Sequence, residues 1–123
     1  MKKVLIVEDE YEQVRTSFEY VNAIHLSSSL ELTQAAKSQD INFSDLPNYD
    51  YIFLDITLAK KSHLDGYDIL KKIESENIPV KKLVIMTGNN KISETLASKG
   101  INRHYDILNK PIDFKDLEDI FTK

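Results

Sequence analysis

The sequence has no cysteine and only three glycines among its 123 residues. Without cysteine, neither a disulfide scaffold nor a thiolate metal site can form, and a reducing, cytoplasmic location is expected. Gly66, Gly88 and Gly100 lie too far apart to build a dinucleotide-binding fingerprint or a Walker-type phosphate loop. Any phosphate chemistry must therefore depend on carboxylates, a metal ion and isolated hydrogen-bond donors.

Long hydrophobic runs are also missing. The longest apolar runs, among them 4–7 and 83–86, have four residues each, whereas a transmembrane helix needs about twenty. The run that follows Met1 ends at Glu8, which excludes a secretory signal peptide. We therefore expect no membrane contact. The net charge of −4, from 16 basic and 20 acidic residues, argues against direct nucleic-acid binding.

Hydrophobic residues make up 41% and charged residues 29% of the chain, which is typical of one globular domain. We predict a single domain over 1–123 with no output domain in this chain. Apolar runs predict strands at 3–7, 51–54, 83–86 and 105–108, and a weak edge strand at 24–29. Helical spacing of apolar residues predicts five helices, at 11–21, 30–41, 64–76, 92–99 and 114–121. This alternation predicts an α/β sandwich of three layers with parallel strands.

Polar side chains follow the strong strands at the points where those strands end. Glu8 and Asp9 follow the first, Asp55 the second, Thr87 the third and Lys110 the last. Because the carboxyl ends of parallel strands meet at one edge of a sheet, we expect these side chains to form one site.

The chemistry of this set points to phosphoryl transfer. Three close carboxylates repel one another unless a cation joins them, and oxygen ligands with open positions suit Mg²⁺. Lys110 supplies a point charge for phosphoryl oxygens, and Thr87 supplies a hydroxyl that can bind one of them. Asp55 ends the most central apolar strand and is the candidate nucleophile, which would form an aspartyl phosphate.

Five short motifs resemble the signature of the receiver domain of two-component response regulators: Val7-Glu8-Asp9, Leu54-Asp55, Asp65-Gly66, Met86-Thr87-Gly88 and Lys110-Pro111. The resemblance extends over essentially the whole chain. It implies a flavodoxin-like (CheY-like) fold with a five-stranded parallel sheet of order 2-1-3-4-5. It also implies a signalling domain in a phosphorelay, which at most catalyses its own phosphotransfer and autodephosphorylation and is otherwise not an enzyme.

The resemblance assigns roles to individual residues. Asp55 would accept the phosphoryl group from a histidine kinase or a phosphotransfer protein, with Mg²⁺ as the cofactor. Asp9 and Asp55 would bind the metal directly, Glu8 through water, and Thr57 through its backbone carbonyl. Lys110 would pair with the phosphoryl oxygens, and the family commonly has a cis peptide bond after it.

Other positions are implied to act in switching. Thr87 would close onto the phosphoryl group as the switch, and Gly88 would leave the site accessible. Thr57 and Asn89 lie where the family sets the lifetime of the phosphoryl group. The resemblance implies that phosphorylation changes the surface of the fourth helix, the fifth strand and the fifth helix. A downstream protein target, or a second copy of the chain in a homodimer, would bind that surface.

Two features depart from the family pattern. Ile107 occupies the place of the usual switch aromatic, and Tyr105, two residues earlier on the same strand face, is the candidate replacement. The loop after Asp55 is also longer than usual, because Gly66 comes eleven positions later. Its additional residues lie around Lys60–His63, a basic segment that either contributes to kinase recognition or is simply solvated.

Two alternative functions stay open. One is a receiver-like binding module that phosphorylation does not regulate, which the two departures allow. The other is a phosphatase of the haloacid dehalogenase type, which also places Asp, Thr and Lys on successive strand ends. Such a phosphatase needs a second acid two residues after the nucleophile, where this chain has Thr57.

Overall fold

A computed structural model describes residues 1–57, 62 and 64–122, and in it five parallel strands form one sheet. The strands are β1 (Lys2–Val7), β2 (Leu30–Ala35), β3 (Tyr51–Asp55), β4 (Leu83–Thr87) and β5 (Asp106–Asn109). Their order across the sheet is β2-β1-β3-β4-β5, and every neighbouring pair is parallel. This arrangement confirms the flavodoxin-like, CheY-like fold expected from the sequence.

Four α-helices lie within the described residues: α1 (Tyr11–Tyr20), α2 (Gly66–Ser75), α3 (Ile92–Ser98) and α4 (Phe114–Thr122). One hydrophobic core contains buried residues of α1 and α4, among them Phe18 and Leu117. The second core contains buried residues of α2 and α3, among them Leu70 and Leu96. Helices on both faces of the sheet give the predicted three layers, and both faces of β3 and β4 are buried.

The position of the second strand differs from the prediction, which was wrong. The segment 24–29 is not a strand, because α1 continues into a π-helical turn at Val21–His25 and a loop follows. The strand lies at Leu30–Ala35, within the segment predicted as the helix 30–41. Leu, Glu, Gln and Ala favour a helix locally, but pairing with β1 over six residues overrides that preference.

The connection from β2 to β3 therefore has no α-helix in the part of the chain that is described. It contains two 3₁₀ turns instead, Ser38–Asp40 and Phe43–Asn48. Leu46 is buried in the same core as the inner residues of α2. It covers part of that face of the sheet, as the predicted helix would have done. In the described part of the chain there are thus four α-helices where five were expected, and the predicted fourth and fifth helices are α3 and α4.

Smaller differences concern the ends of elements. Helix α2 begins at Gly66 and not at 64, because the side chain of Asp65 caps it by accepting a hydrogen bond from the Asp68 N–H at 2.8 Å. Strand β5 covers 106–109, so Tyr105 lies just before it. The Lys110–Pro111 peptide bond is cis. Among the described residues, no helix combines the length and the apolar character needed to cross a membrane.

Candidate metal centre

The register of the sheet brings the predicted site residues to one edge. Asp55 is the last residue of β3 and lies opposite Met86 of β4, one position before Thr87. Thr87 in turn lies opposite Asn109, which precedes Lys110. Glu8 directly follows β1, and its N–H donates to the carbonyl of Ala35 at 3.0 Å. The sequence-based expectation of one shared strand edge is therefore confirmed.

The acidic cluster is the centre of this edge. Glu8, Asp9 and Asp55 each offer a carboxylate oxygen, and these oxygens all lie within 4.8 Å of one another. Glu8 is 1% exposed and Asp55 4% exposed, while Asp9 is half-buried and reaches the surface. An all-oxygen set that is open on one side suits a hard cation that retains water, so the residues fit Mg²⁺.

Lys110 is the cation that the chain itself supplies. Its Nζ contacts Glu8 Oε1 in a short hydrogen bond and lies 3.4 Å from Asp55 Oδ1. The side chain is 24% exposed, so its ammonium points into the site and still meets solvent. Among the described residues, one ammonium faces three carboxylates, and this excess of negative charge favours a further cation.

The electrostatics of the cluster show this excess. Burial, together with the nearby Asp55, raises the pKa of Glu8 above its ordinary value, although Lys110 opposes the rise. Burial and the neighbouring Glu8 likewise raise the pKa of Asp9. Burial lowers the pKa of Lys110, but its hydrogen bond to Glu8 and the charge of Asp55 outweigh this and leave that pKa raised. Glu8 and Asp9 therefore hold a proton more tightly than isolated carboxylates do.

The backbone after β3 fixes Asp55. The N–H of Thr57 donates to Asp55 Oδ1 at 3.1 Å, and the N–H of Gly66 donates to the Ile56 carbonyl at 3.2 Å. A Cβ on Gly66 would lie 2.5 Å from Ile56 Cα, so glycine alone permits this approach. The Asp65-Gly66 motif therefore closes the base of the loop that begins at the candidate acceptor.

Thr87 connects the site to α3. Its side chain is buried, and its Oγ1 accepts a hydrogen bond from the N–H of Asn89 at 2.9 Å. The amide Nδ2 of Asn89 donates to Thr95 Oγ1 on α3 at 3.4 Å. A Cβ on Gly88 would have no atom within 4 Å, so this position borders open space.

The two candidate switch residues, Ile107 on β5 and Tyr105 just before it, lie away from the acidic cluster. Ile107 lies opposite Ile85, two positions before the Thr87–Asn109 pair. Tyr105 is 8% exposed and belongs to the core that contains α2 and α3. Its hydroxyl donates to Glu74 Oε2 at 2.8 Å, and burial, followed by this bond, raises the pKa of Tyr105. Tyr105 is therefore not brought to the edge that holds the acids.

One residue that supports the acidic cluster was not predicted from the sequence. The side-chain amide of Gln34 on β2 donates to the backbone carbonyl of Glu8 at 3.0 Å and so holds the turn that carries the acid pair. The segment 30–41 was predicted as a helix, so no local signal placed Gln34 beside β1. The predicted basic segment Lys60–His63 lies outside the described residues except for Ser62.

Comparisons with known proteins agree with this geometry. The family model described as "Response regulator receiver domain" matches residues 4–122. No curated protein gives a significant sequence match. The receiver domain of NtrX from Brucella abortus is 26% identical with a TM-score of 0.67, covering 97% of this chain and 94% of that one.

Two further solved structures share the fold. The signal receiver domain of the DNA-binding response regulator merR from Colwellia psychrerythraea 34H is 21% identical with a TM-score of 0.71. That match covers 99% of this chain and 96% of the other. The chemotaxis protein CheY4 of Vibrio cholerae is 17% identical with a TM-score of 0.69, covering 99% and 97%.

Proposed function

Because the chain belongs to the response regulator receiver domain family of two-component signalling, we propose that Asp55 accepts a phosphoryl group from a phosphohistidine donor. The donor would be a histidine kinase or a phosphotransfer protein. The observation that supports this most is the cluster at the strand edge, where Asp55 lies close to two further carboxylates and to the ammonium of Lys110.

The residues of the chain suit the transfer chemistry. A carboxylate oxygen of Asp55 attacks phosphorus, the new O–P bond forms, and the N–P bond of the donor breaks with its electron pair returning to the imidazole. When bound, Mg²⁺ supplies positive charge that offsets the charge of the phosphoryl oxygens. Asp9, Asp55 and the Thr57 carbonyl would hold the metal, with Glu8 acting through water.

Lys110 positions the incoming group. Its Nζ lies 3.4 Å from Asp55 Oδ1, so its charge is next to the atom that would carry the phosphoryl group. The short contact with Glu8 holds the ammonium in place before transfer, when no phosphoryl oxygen competes for it. Charge-assisted contacts of this kind stabilise a dianionic group more strongly than neutral hydrogen bonds do.

Thr87 provides a route from the site to the surface. Its hydroxyl oxygen accepts from Asn89, whose side chain contacts Thr95 on α3. If Thr87 turns to donate to a phosphoryl oxygen, the hydrogen bond with Asn89 is lost and the start of α3 must adjust. Phosphorylation would thereby shift the population of two arrangements of α3 and its neighbours.

The surface of α3, β5 and α4 is the proposed response surface. One groove of about 340 Å³ lies between α3 and β5, lined by Leu96, Ile101 and Ile107 among others. A second groove of about 300 Å³ lies between β5 and α4, lined by Asp106, Asp116 and others. A downstream protein, or a second copy of this chain, would bind there, without direct nucleic-acid or membrane contact.

The function is that of a signalling domain and not of an enzyme acting on a separate substrate. Its only chemical steps would be acceptance of the phosphoryl group and the later hydrolysis of the aspartyl phosphate. Thr57 and Asn89, beside the acceptor and the switch, would influence the rate of that hydrolysis. Phosphohistidine donors are formed with ATP, so we place the protein in the cytoplasm.

Phosphorylation with a small donor tests the proposal. Incubated with acetyl phosphate and Mg²⁺, the protein should gain one phosphoryl group by mass spectrometry. Asp55→Asn should remove this gain, and Asp68→Asn, at an exposed position on α2, should not. Equal labelling of Asp55→Asn would refute the assignment. No labelling and unchanged amide spectra with beryllofluoride would favour a binding module, and many turnovers of a phosphomonoester would favour a phosphatase.

A further inference from the structure

The connection between β2 and β3 contains a buried polar residue that the proposed chemistry does not use. Ser38 starts the first 3₁₀ turn and is only 3% exposed. A hydroxyl this deeply buried destabilises a protein unless it is hydrogen-bonded. The backbone N–H of Ser38 has a partner 24 positions away and its hydroxyl one 26 positions away, both after the candidate acceptor.

Three hydrogen bonds join Ser38, Ser62 and Leu64 in a closed ring. The N–H of Ser38 donates to Ser62 Oγ at 2.8 Å, and Ser62 Oγ donates to the Leu64 carbonyl at 2.6 Å. The N–H of Leu64 donates to Ser38 Oγ at 2.9 Å, and Ser38 Oγ donates to Gln39 Oε1 at 3.2 Å. Each hydroxyl both donates and accepts, so the orientation of both side chains is fixed. We call this ring the serine bridge.

The serine bridge is a second attachment of the loop that follows Asp55. The first attachment is at the loop's base, where the Gly66 N–H meets the Ile56 carbonyl. The bridge holds Ser62 and Leu64 against the connection between β2 and β3, and Leu64 lies two residues before Gly66. A longer loop has more conformations available, so ordering it has a higher entropic cost. The added attachment offsets part of the entropic cost of ordering Ser62 and Leu64.

We propose that Ser38 and Ser62 are positioning residues for the metal centre: by holding Leu64 they keep Gly66 against the Ile56 carbonyl, and so keep the backbone after Asp55 in the position that binds Mg²⁺. The inference rests on the proposed function, because the loop matters through the metal and phosphoryl chemistry at its start. The ring fixes Leu64, two residues before Gly66, and the Gly66 N–H holds the carbonyl of Ile56 next to Thr57, whose own carbonyl is the proposed metal ligand. Groups that orient a ligand commonly change metal affinity by about 10- to 100-fold when removed.

Alanine substitution of the bridge tests the proposal. Ser62→Ala and Ser38→Ala should each weaken Mg²⁺ binding by about tenfold, the lower end for such groups, measured by NMR titration. In the metal-free protein, the Leu64 amide should exchange with solvent faster in both variants. Since the two residues act in one ring, the double variant should be no weaker in metal affinity than either single variant.

Two comparisons separate positioning from a general loss of stability. Ser98→Ala removes an exposed serine of α3 whose Oγ donates to the Thr95 carbonyl at 2.7 Å, and should leave Mg²⁺ affinity unchanged. Ser62→Thr keeps the hydroxyl and should restore most of the affinity.

The outcomes distinguish this inference from the function on which it rests. If the parent protein binds Mg²⁺ and is phosphorylated while the bridge variants bind the metal equally well, the positioning role is wrong and Asp55 stays the acceptor. If the variants only unfold at lower temperature, with metal affinity unchanged below that temperature, the bridge is merely structural. A parent protein that binds no Mg²⁺ would overturn both proposals.

Discussion

At the scale of single residues, Gly66 shows how closely the backbone packs behind the candidate acceptor. A Cβ at this position would lie 2.5 Å from Ile56 Cα and 2.7 Å from the carbonyl oxygen of Asp55. Both atoms are backbone, so no side-chain rotation can make room. The glycine is required by this approach and not by an unusual backbone angle.

Gly66→Ala therefore provides a test at one residue. The added methyl must push α2 away from the end of β3, and overpacking of this kind costs about 1–3 kcal/mol of unfolding free energy. Urea denaturation should show this loss, and a Mg²⁺ titration should show weaker binding because Asp55 moves. Gly88→Ala is the matched control, since its Cβ meets open space. Equal stability of the two variants would contradict the close approach.

At the scale of elements, Glu74 joins α2 to the connection between α3 and β5. Its carboxylate accepts from the N–H of Asn102 at 3.1 Å and of Arg103 at 3.4 Å, and from the hydroxyl of Tyr105 at 2.8 Å. These contacts attach one end of the proposed response surface to a helix outside it. They also use the hydroxyl of Tyr105, so rotation of that ring would break a hydrogen bond to a carboxylate.

Tyr105→Phe measures this connection. Loss of a hydrogen bond to a charged acceptor should lower the unfolding free energy by about 1.5–3 kcal/mol. Amide exchange at Asn102 and Arg103 should become faster, because Glu74 is then less firmly held. Phosphorylation of Asp55 should be unchanged, since Tyr105 lies away from the acidic edge. Tyr67→Phe, the same change on α2, serves as the comparison, and a similar loss there would argue against a specific role for the Glu74 contact.

At the scale of the whole molecule, the acidic cluster links stability to pH. The pKa values of Glu8 and Asp9 are raised from their ordinary values of 4.5 and 3.8, so the folded state binds protons more tightly than the unfolded state. Stability from this source is therefore present at low pH and is lost as the pH rises through the raised values. The pKa of Lys110 is also raised, from its ordinary value of 10.5, so the stability that it contributes is lost only as the pH rises above that value.

Glu8→Gln and added Mg²⁺ test this linkage together. Without metal at pH 7.5, the variant should be more stable than the parent, and the difference should shrink towards pH 4.5. Mg²⁺ at ten times its Kd should stabilise the parent by about 1.4 kcal/mol at pH 7.5 and by much less at pH 4.5, where protons compete.

Urea denaturation across this pH range measures the effect of Glu8→Gln and the effect of Mg²⁺ on stability. Glu94→Gln, at an exposed position on α3, is the control. A stabilising effect of Mg²⁺ that is the same at both pH values would contradict the link between the cluster and the metal.

The sequence by itself determined the central strands and the polar residues at their ends. Runs such as 4–7 and 83–86 are apolar enough to be strands buried on both faces, and a parallel sheet then brings Asp55, Thr87 and Lys110 together. These features depend on local pattern and on one general rule of sheet geometry, so no knowledge of distant contacts is needed.

Only the tertiary structure decided the edge strand, the connection after it and the polar pairs across the fold. Leu30–Ala35 becomes a strand because β1 offers six residues of backbone pairing, which outweighs its local preference for a helix. The partner of Ser38 is 24 positions away and that of Tyr105 is 31 away. Contacts over such separations leave no periodic signal in the chain, since they form only when packing brings the elements together.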